Sequence, residues 1–221
     1  YTPGRTSGYP EERVKSGIRL HFLGGGDEVG NVGCLLEDRT GTRVLIDYGL
    51  APTRPPRYPK ECPPIEHTII THSHIDHIGM APWLVGQYGA TLHGTTLTAA
   101  VSEIMWRDTY KVSSIEGYPL PWDKRDLDAA LNAWQTHDVG EWFEIGEWKC
   151  RFHRAGHIPG AIMIEIETPE LRLLWSGDID IRDGPNVRGA KPINCDILCL
   201  EATYGGREHP VRATEEARFV S

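Results

Sequence analysis

Three imidazoles and one carboxylate fall within six consecutive positions of this chain, between His72 and His77. The stretch follows a short apolar run, which indicates that it leaves a buried strand. On a tight extended loop, residues two apart point to the same side, so His72 and His74 can both reach one ion. Asp76 and His77 then turn toward a second ion beside it. Imidazole nitrogen and carboxylate oxygen are zinc ligands, and two neighbouring ions form a clamp used in phosphoester hydrolysis. The spacing therefore predicts a metal site, although Asp76 alone could cap a following helix.

Two later strand ends each carry one more ligand at a glycine-flanked position, His157 and Asp178. We expect His157 to complete the ion held by His72 and His74. The two oxygens of Asp178 could bridge both ions, so that this carboxylate joins Asp76 beside the second ion. In chain order, the predicted metal ligands are His72, His74, Asp76, His77, His157 and Asp178.

Asp47 ends another predicted strand, where a carboxylate could orient a ligand histidine by hydrogen bonding to its second ring nitrogen. Five other histidines lack such a context, and we interpret them as structural or surface residues: His21, His67, His93, His137 and His153. The glycine-rich stretch 24–30 permits close backbone approach, which suits a tight turn or a loop edging a site. A nucleotide-phosphate loop is disfavoured there, because no Gly-Lys-Ser/Thr ending follows the glycines.

Hydrophobic periodicity predicts the elements that must position these side chains. Strands are predicted at 18–23, 33–37, 43–48, 91–93, 142–145, 148–153, 161–167, 171–175 and 197–200. Helices are predicted at 78–88, around 97–105 and at 123–134, and the segment 110–122 is less regular. Within the second helix, the helical spacing of its apolar residues predicts core packing for Leu97, Val101, Ile104 and Met105. The candidate ligands therefore stand at strand ends.

Composition sets broad limits on the class of protein. The chain has 221 residues, 39% of them hydrophobic, which is enough for one main domain. A formal net charge of −8 argues against a basic nucleic-acid coat, although a local basic strip could still hold a phosphate backbone. Five cysteines without a C-x-x-C pair favour a reduced, cytoplasmic setting. We expect neither a membrane span nor a signal peptide, because the sequence has no apolar run near twenty residues and no charged-then-apolar leader.

Taken in order, Asp47, the H-x-H-x-D-H cluster at 72–77, His157 and Asp178 resemble the metallo-β-lactamase superfamily. The resemblance covers nearly all of residues 18–201. It implies an α+β fold, an αββα sandwich, with two zinc ions along one edge between the sheets. Manganese or iron would also suit these ligands.

Three phrases resemble more specifically the β-CASP nucleases, the group of ribonuclease J and the cleavage and polyadenylation specificity factor endonuclease with its archaeal relatives. These phrases are Leu-Gly-Gly with Glu-Val-Gly at 23–30, Ala-Gly-His-Ile-Pro-Gly-Ala at 155–161, and Leu-Glu-Ala-Thr-Tyr-Gly at 200–205. In that group the position of Glu201 carries an acidic motif near the metals. The resemblance therefore adds Glu201 to Asp76 and Asp47 as a candidate catalytic residue.

The sequence also departs from full-length members of that group, which continue into a β-CASP domain and two further histidine motifs. We therefore expect the N-terminal part of a larger nuclease or a truncated form of one. The expected organisation is a flexible tail or linker at 1–17, the sandwich domain at 18–203, and the start of a connection to a β-CASP domain at 204–221. In this last segment, His209 is a candidate for one of the later histidine roles.

The resemblance implies zinc-dependent hydrolysis of RNA phosphodiesters, by internal cutting or from the 5′ end, with Asp76 as a ligand and a proton acceptor. The implied partners are single-stranded RNA, with no membrane, and either a homo-oligomer or an RNA-processing complex. A small-molecule hydrolase acting on a thioester or lactam would use the same ligands, but the phrase around Glu201 argues against it. A transfer-RNA 3′-end endonuclease should also lack that phrase. An inactive scaffold subunit remains the alternative from another class, and intact ligands argue against it.

Overall fold

The computed structural model describes residues 17–208 and 210–220 of the chain. The predicted tail at 1–17, apart from Gly17, and the candidate His209 lie outside these residues. The described strands are β1 Ile18–Gly24, β2 Gly33–Asp38, β3 Arg43–Ile46, β4 His67–Ile69, β5 Thr91–Gly94, β6 Trp134–Thr136, β7 Trp142–Ile145, β8 Trp148–Arg154, β9 Ile162–Glu167, β10 Arg172–Trp175 and β11 Ile197–Cys199. The described helices are α1 Ile75–Ile78, α2 Ala81–Tyr88, α3 Thr96–Glu116, α4 Lys124–Leu131 and α5 Arg212–Val220.

The first six strands form one sheet in the order β1-β2-β3-β4-β5-β6. Strands β1 to β3 pair antiparallel, whereas β3, β4, β5 and β6 pair parallel to one another. Ile46 of β3 lies opposite Ile69 of β4. Because parallel strands end at the same edge of a sheet, the residues that follow β3 and β4 meet there.

The other five strands form a second sheet in the order β11-β10-β9-β8-β7. Both β8 and β10 pair antiparallel with β9, and β11 pairs parallel with β10. Strands β8, β10 and β11 therefore run in the same direction. Their carboxyl ends, which lead to His157, Asp178 and Glu201, emerge at one edge of this sheet.

Two apolar layers hold these elements together. Between the sheets, Ile46, Ile69, Phe152 and Ile164 belong to one buried cluster. On the other face of the first sheet, helices α2 to α4 pack over a second cluster that includes Trp106. Fully burying a side chain such as isoleucine or phenylalanine stabilises the fold by roughly 1.5–3 kcal/mol. The expected α+β sandwich of two sheets is thus confirmed.

Helix α3 buries a face different from the predicted one. Leu97 and Ile104 are 44% and 66% exposed, so the predicted core packing is wrong for both residues. The buried residues of α3 are Thr98, Ser102 and Trp106. Their spacing of four places them on one face, where the large indole of Trp106 packs against the sheet and donates from Nε1 to the Ile78 carbonyl (2.9 Å). On the same face, Thr98 Oγ1 donates to the Gly160 carbonyl (3.0 Å) and Ser102 Oγ donates to the Thr98 carbonyl (2.7 Å).

Several predicted boundaries also differ from the structure. The single helix expected at 78–88 is two helices, α1 and α2, separated at residues 79–80. Helix α3 continues to Glu116, through part of the segment expected to be less regular, and ends where Gly117 adopts a φ of 75°. Trp134 lies in strand β6 rather than on a face of α4. Within residues 17–208 and 210–220, no helix combines the length and apolar character needed to cross a membrane.

Candidate metal centre

The sequence-predicted ligands lie together at the edge where β4, β8 and β10 end. His72 and His74 follow β4 on an extended loop, and the single turn of α1 carries the next two ligands. The loop after β8 supplies the third imidazole of the first set, and the turn after β10 supplies the last carboxylate. The six residues brought to this edge are His72, His74, Asp76, His77, His157 and Asp178.

The first subset consists of three imidazoles and one carboxylate around a common point. His74 Nδ1 lies 3.0 Å from His72 Nε2 and 3.1 Å from His157 Nε2. Asp178 Oδ2 lies 3.8 Å from His72 Nε2 and 3.6 Å from His157 Nε2. One ligand atom from each of these four residues falls within 4.8 Å of all the others. This is the ligand number and type of a tetrahedral zinc site.

The convergence of these nitrogens tests whether a metal fits. His74 Nδ1 faces two other ring nitrogens, and a neutral imidazole carries only one N–H to share. Burial, followed by the neighbouring rings of His77, His74 and His157, lowers the pKa of His72, so this ring is held neutral. Neutral imidazoles with converging lone pairs are satisfied together by one cation. The residues present therefore fit a zinc ion.

A second subset lies beside the first and shares Asp178 with it. His77 Nε2 is 3.5 Å from Asp178 Oδ1 and 3.9 Å from Asp76 Oδ2. The two oxygens of Asp178 thus face different subsets. Burial raises the pKa of Asp178, and the nearby Glu201 and Asp76 carboxylates add to this effect against the opposing influence of His77 and His157. Crowded carboxylates of this kind favour a bound cation.

The ring of His77 is surrounded by negatively charged carboxylates. Burial by itself lowers its pKa, but the carboxylates of Asp47, Asp178 and Asp76 outweigh burial and raise the pKa to about 9. Asp47 makes the largest of these contributions through its charge and its hydrogen bond. A positive charge is therefore stabilised at this position, and a cation facing Nε2 could take the place of the ring proton.

A buried framework below the ligands fixes which ring nitrogens face the centre. Asp47 Oδ1 accepts from the Thr71 backbone N–H (2.7 Å), and Oδ2 accepts from Thr71 Oγ1 (2.7 Å) and His77 Nδ1 (2.8 Å). The single Thr71 hydroxyl hydrogen goes to Asp47, so Thr71 Oγ1 accepts the Nδ1 hydrogen of His72 at 3.0 Å. In both rings Nδ1 is therefore engaged and Nε2 is presented to the centre.

The backbone that carries this framework adopts an unusual conformation. Asp47 has a φ of 56°, a left-handed value that aspartate and asparagine tolerate better than other non-glycine residues. Just after it, Tyr48 N–H donates to the His77 carbonyl (2.8 Å) and Leu50 N–H donates to the Ile75 carbonyl (3.1 Å). A Cβ on Gly49 would lie 1.7 Å from the Asp76 carbonyl oxygen, so only glycine allows this close approach.

Glu201 lies at the rim of the centre and is held by backbone groups. Its Oε1 accepts from the Ile179 N–H (3.2 Å) and its Oε2 accepts from the Thr203 N–H (3.1 Å). Its own N–H donates to Ser176 Oγ at 3.0 Å. Glu201 thus braces the turn that carries Asp178, and a direct part in catalysis stays a prediction.

An open cavity of about 540 Å³ gives access to the second subset. Its walls include Asp76, His77, Asp178 and Glu201, together with the glycine-rich stretch 25–30. That stretch does edge the site, which is one of the two alternatives the sequence left open. Glu28 of that stretch forms an ion pair with Arg57 (2.8 Å).

Sequence reasoning missed the contributions of Thr71 and Ser176, and it missed a second histidine group. Thr71 has one sequence signal, a hydroxyl directly between the apolar run and His72. The second group has none, because its members lie 26 and 44 positions apart, two on strands β4 and β5 and one just after β6. It consists of His67, His93 and His137, and we call it the histidine row.

Comparisons with known proteins show what this chain is similar to. A family profile described as the metallo-beta-lactamase superfamily matches residues 26–194. RNase aCSPSF2 of Saccharolobus solfataricus is 29% identical over 208 residues, which cover 90% of this chain and 42% of that protein. Cleavage and polyadenylation specificity factor subunit 3 of Dictyostelium discoideum is 30% identical over 217 residues, covering 92% of this chain and 28% of that protein. The chain thus spans less than half the length of these curated relatives.

Among solved structures, a protein of unknown function from Enterococcus faecalis superposes with a TM-score of 0.52 at 14% identity. The alignment covers 73% of this chain and 43% of the other. At this level of identity the likeness concerns the fold alone.

Proposed function

This chain belongs to the metallo-beta-lactamase superfamily, and from that premise we propose that it carries the metal centre of a zinc-dependent ribonuclease. The relatives at about 30% identity carry the names of RNA-processing nucleases, as the phrases around His157 and Glu201 predicted. The substrate in this proposal is single-stranded RNA, cut at its phosphodiester bonds. We further propose that the protein acts in the cytoplasm, as a homo-oligomer or within an RNA-processing complex.

The observation that carries this proposal is the position of Asp178 between the two subsets. One of its oxygens faces His72 and His157, and the other faces His77. A carboxylate shared in this way suits two adjacent ions, which is the arrangement that phosphodiester hydrolysis uses. Two bound zinc ions would lower the pKa of an attacking water and offset charge on the phosphate oxygens.

We assign the remaining roles, which are metal binding, ring orientation and proton acceptance, to residues of this chain. His72, His74 and His157 would hold one ion, and Asp76 and His77 would hold the other, with Asp178 serving both. Asp47 and Thr71 would keep each Nε2 directed at the centre. Asp76, whose carboxylate lines the cavity, is assigned to accept a proton as well. Glu201 is assigned to hold the Asp178 turn in position.

The test is hydrolysis by the protein at its natural length, with 5′-labelled RNA and a lactoyl thioester as parallel substrates. We expect cleavage of the RNA, loss of cleavage on chelation and recovery on adding zinc. Asp178→Asn should lower the cleavage rate by about a thousandfold or more, because several kcal/mol of charge stabilisation would be lost. Thioester hydrolysis without RNA cleavage would instead identify a small-molecule hydrolase, and inactivity toward both would favour a scaffold.

A further inference from the structure

A basic groove runs along the second sheet next to the loop that carries His157. Arg154 is the last residue of β8, and its side chain is exposed. Within residues 17–208 and 210–220, this guanidinium forms no ion pair or hydrogen bond with another residue. An arginine left unpaired in a chain of net charge −8 is available for an anionic partner.

Two adjoining depressions of about 460 and 470 Å³ share Arg154 and Arg188 in their walls. Lys191 lines the second depression, so three cationic side chains face one continuous path. Asp183 lines it too and pairs with Arg188 at 3.2 Å, but the Arg188 side chain stays 78% exposed. The path therefore carries a net positive charge.

The wall of this groove is fixed to the loop that carries His157. Asp180 N–H donates to the Ala155 carbonyl (3.0 Å), and Ala190 N–H donates to the Asp180 carbonyl (2.8 Å). Gly156 has a φ of 76°, and a Cβ there would lie 2.1 Å from the Asp180 oxygen. These contacts fix the position of the basic path relative to the loop that carries the metal ligand His157.

The groove is also close to the metal centre along the chain. Arg154 precedes His157 by three residues, so their Cα atoms are at most about 11 Å apart. Gly156 and Ile158, on either side of His157, line the groove directly. A polynucleotide that crosses the metal centre and continues over this loop would meet Arg154 at a neighbouring phosphate.

Building on the proposed ribonuclease function, we infer that Arg154, with Arg188 and Lys191, binds the phosphate backbone of the RNA next to the scissile bond. A guanidinium fork matches two phosphate oxygens, which suits an exposed and unpaired arginine. The described residues that line the path include no phenylalanine, tyrosine or tryptophan. Without stacking platforms, the contact reads the backbone and is independent of base sequence.

The double variant Arg154→Ala/Arg188→Ala, made in the protein at its natural length, tests this inference. We expect KM for RNA to rise roughly tenfold at physiological ionic strength, as charge-assisted contacts are lost. The slope of log affinity against log salt should shrink by about 1.4, since each single-strand phosphate contact contributes about 0.7. Hydrolysis of bis(p-nitrophenyl) phosphate, which is too short to reach the groove, should keep its rate.

The matched control is Lys124→Ala/Arg125→Ala, which removes the same charge from two exposed residues of α4 on the other layer. It should leave both the KM for RNA and the salt slope unchanged.

A second arm of the experiment leaves the protein intact and replaces phosphates flanking the scissile bond by neutral methylphosphonates, one position at a time. Two positions should each raise the KM of the parent protein, and neither should raise the KM of the double variant further.

The outcomes separate the two proposals. RNA cleavage with an unaltered KM and salt slope in the double variant would overturn the groove inference and leave the ribonuclease proposal in place. Hydrolysis of the small diester without RNA cleavage by the parent protein would overturn both. If the double variant loses its fold by circular dichroism, the methylphosphonate scan decides: a scan without any sensitive position contradicts the inference.

Discussion

Two groups of histidines lie in this molecule, one at the metal centre and one in the histidine row, and they differ in what their ring nitrogens face. In the metal centre, Nε2 of His72 and Nε2 of His157 both point at His74, with the carboxylate of Asp178 alongside. In the histidine row, His67 Nδ1 meets His93 Nε2 at 3.1 Å. The first group converges on a point, whereas the second extends along a line.

The line continues from the other nitrogen of His93. Its Nδ1 lies 3.0 Å from His137 Nε2, so both nitrogens of the central ring are engaged by neighbours. Among the described residues, no carboxylate forms an ion pair with a member of the row. The ring of Phe143 stacks on His137 with centroids 3.6 Å apart and on His93 at 5.6 Å. The central ring, His93, is therefore buried against Phe143, whereas His67 and His137 at the two ends of the row are half-buried.

The charge preferences of the two groups are opposite. Burial, then the neighbouring His67 and His137 rings, lowers the pKa of His93 to about 3, so its neutral form is favoured. In the metal centre, carboxylates overcome burial and raise the pKa of His77 to about 9. Three close imidazoles do not by themselves make a cation site. Convergence of lone pairs and nearby carboxylates decide between a metal centre and a structural hydrogen-bonded row.

The largest expected effect comes from making the same substitution in both groups. His74→Gln removes the ring at which two other nitrogens converge, and we expect loss of one zinc per chain and a fall in RNA cleavage by about a thousandfold or more. His67→Gln removes an end member of the row and should leave the zinc content unchanged and cleavage within about threefold. Zinc content is measured by elemental mass spectrometry and cleavage in single turnover.

Equal zinc loss in these two variants would break the comparison, because the row would then also take part in metal binding. Equal retention would mean that the convergent rings do not hold an ion. Circular dichroism of both variants provides the control for folding. Only loss confined to His74→Gln supports the distinction drawn from nitrogen geometry.

A smaller effect is expected from the framework below the metal centre. Asp47→Asn keeps the side-chain size and suits the left-handed backbone at this position, but it removes the charge that holds Thr71 and His77. We expect zinc affinity to fall by about 10- to 100-fold, as is typical when a residue that orients a ligand is lost. Competition with a chromogenic chelator measures the affinity.

Asp38→Asn is the matched control for that change. Asp38 is also a buried carboxylate, and it accepts from Trp148 Nε1 at 2.6 Å. It ends β2 beside the start of β3, whereas Asp47 follows the end of β3, so the two carboxylates lie at opposite ends of these strands. We expect it to reduce the free energy of unfolding by about 1–3 kcal/mol without changing zinc affinity. If both variants weakened zinc binding equally, general loss of stability rather than ring orientation would explain the effect of Asp47→Asn.

Much of the metal centre could be predicted from the sequence, because the ligand residues are recognised by their types and by short spacings along the chain. The types and spacing of the ligands from His72 to His77 are visible within six residues. His157 and Asp178 can be recognised as candidates because each lies at a strand end beside a glycine. Most strands were predictable for a similar reason, since alternation of polarity is a property of adjacent residues. The parallel arrangement of strands then brings these ends to one edge without further information.

What the sequence did not reveal depends on contacts between distant residues. The left-handed backbone of Asp47 and the hydrogen bonds of Thr71 follow from packing of β3 against β4. Helix α3 presents Trp106 to the core and exposes Ile104, because one large indole outweighs a stripe of aliphatic residues. The histidine row joins three separate strands or loops, and no periodicity connects its members.

The smallest expected effect concerns the pH dependence of stability and tests the neutral state of the row. In the unfolded chain His93 takes up a proton below about pH 6.5, whereas the folded protein resists this until the pH approaches the lowered pKa of about 3. Between these values the unfolded state binds more protons, so stability falls as the pH falls. One such group contributes a slope of at most about 1.4 kcal/mol per pH unit.

His93→Gln removes that titration while the amide can still hydrogen-bond to both neighbours in the row. Between about pH 6 and pH 4.5, urea unfolding of the variant should therefore show a shallower loss of stability than the parent, by up to about 1.4 kcal/mol per pH unit. A chelator in both samples removes any contribution from zinc. Parallel curves would mean that folded His93 accepts a proton as readily as the unfolded chain does, and the row would then share the cation preference of the metal centre.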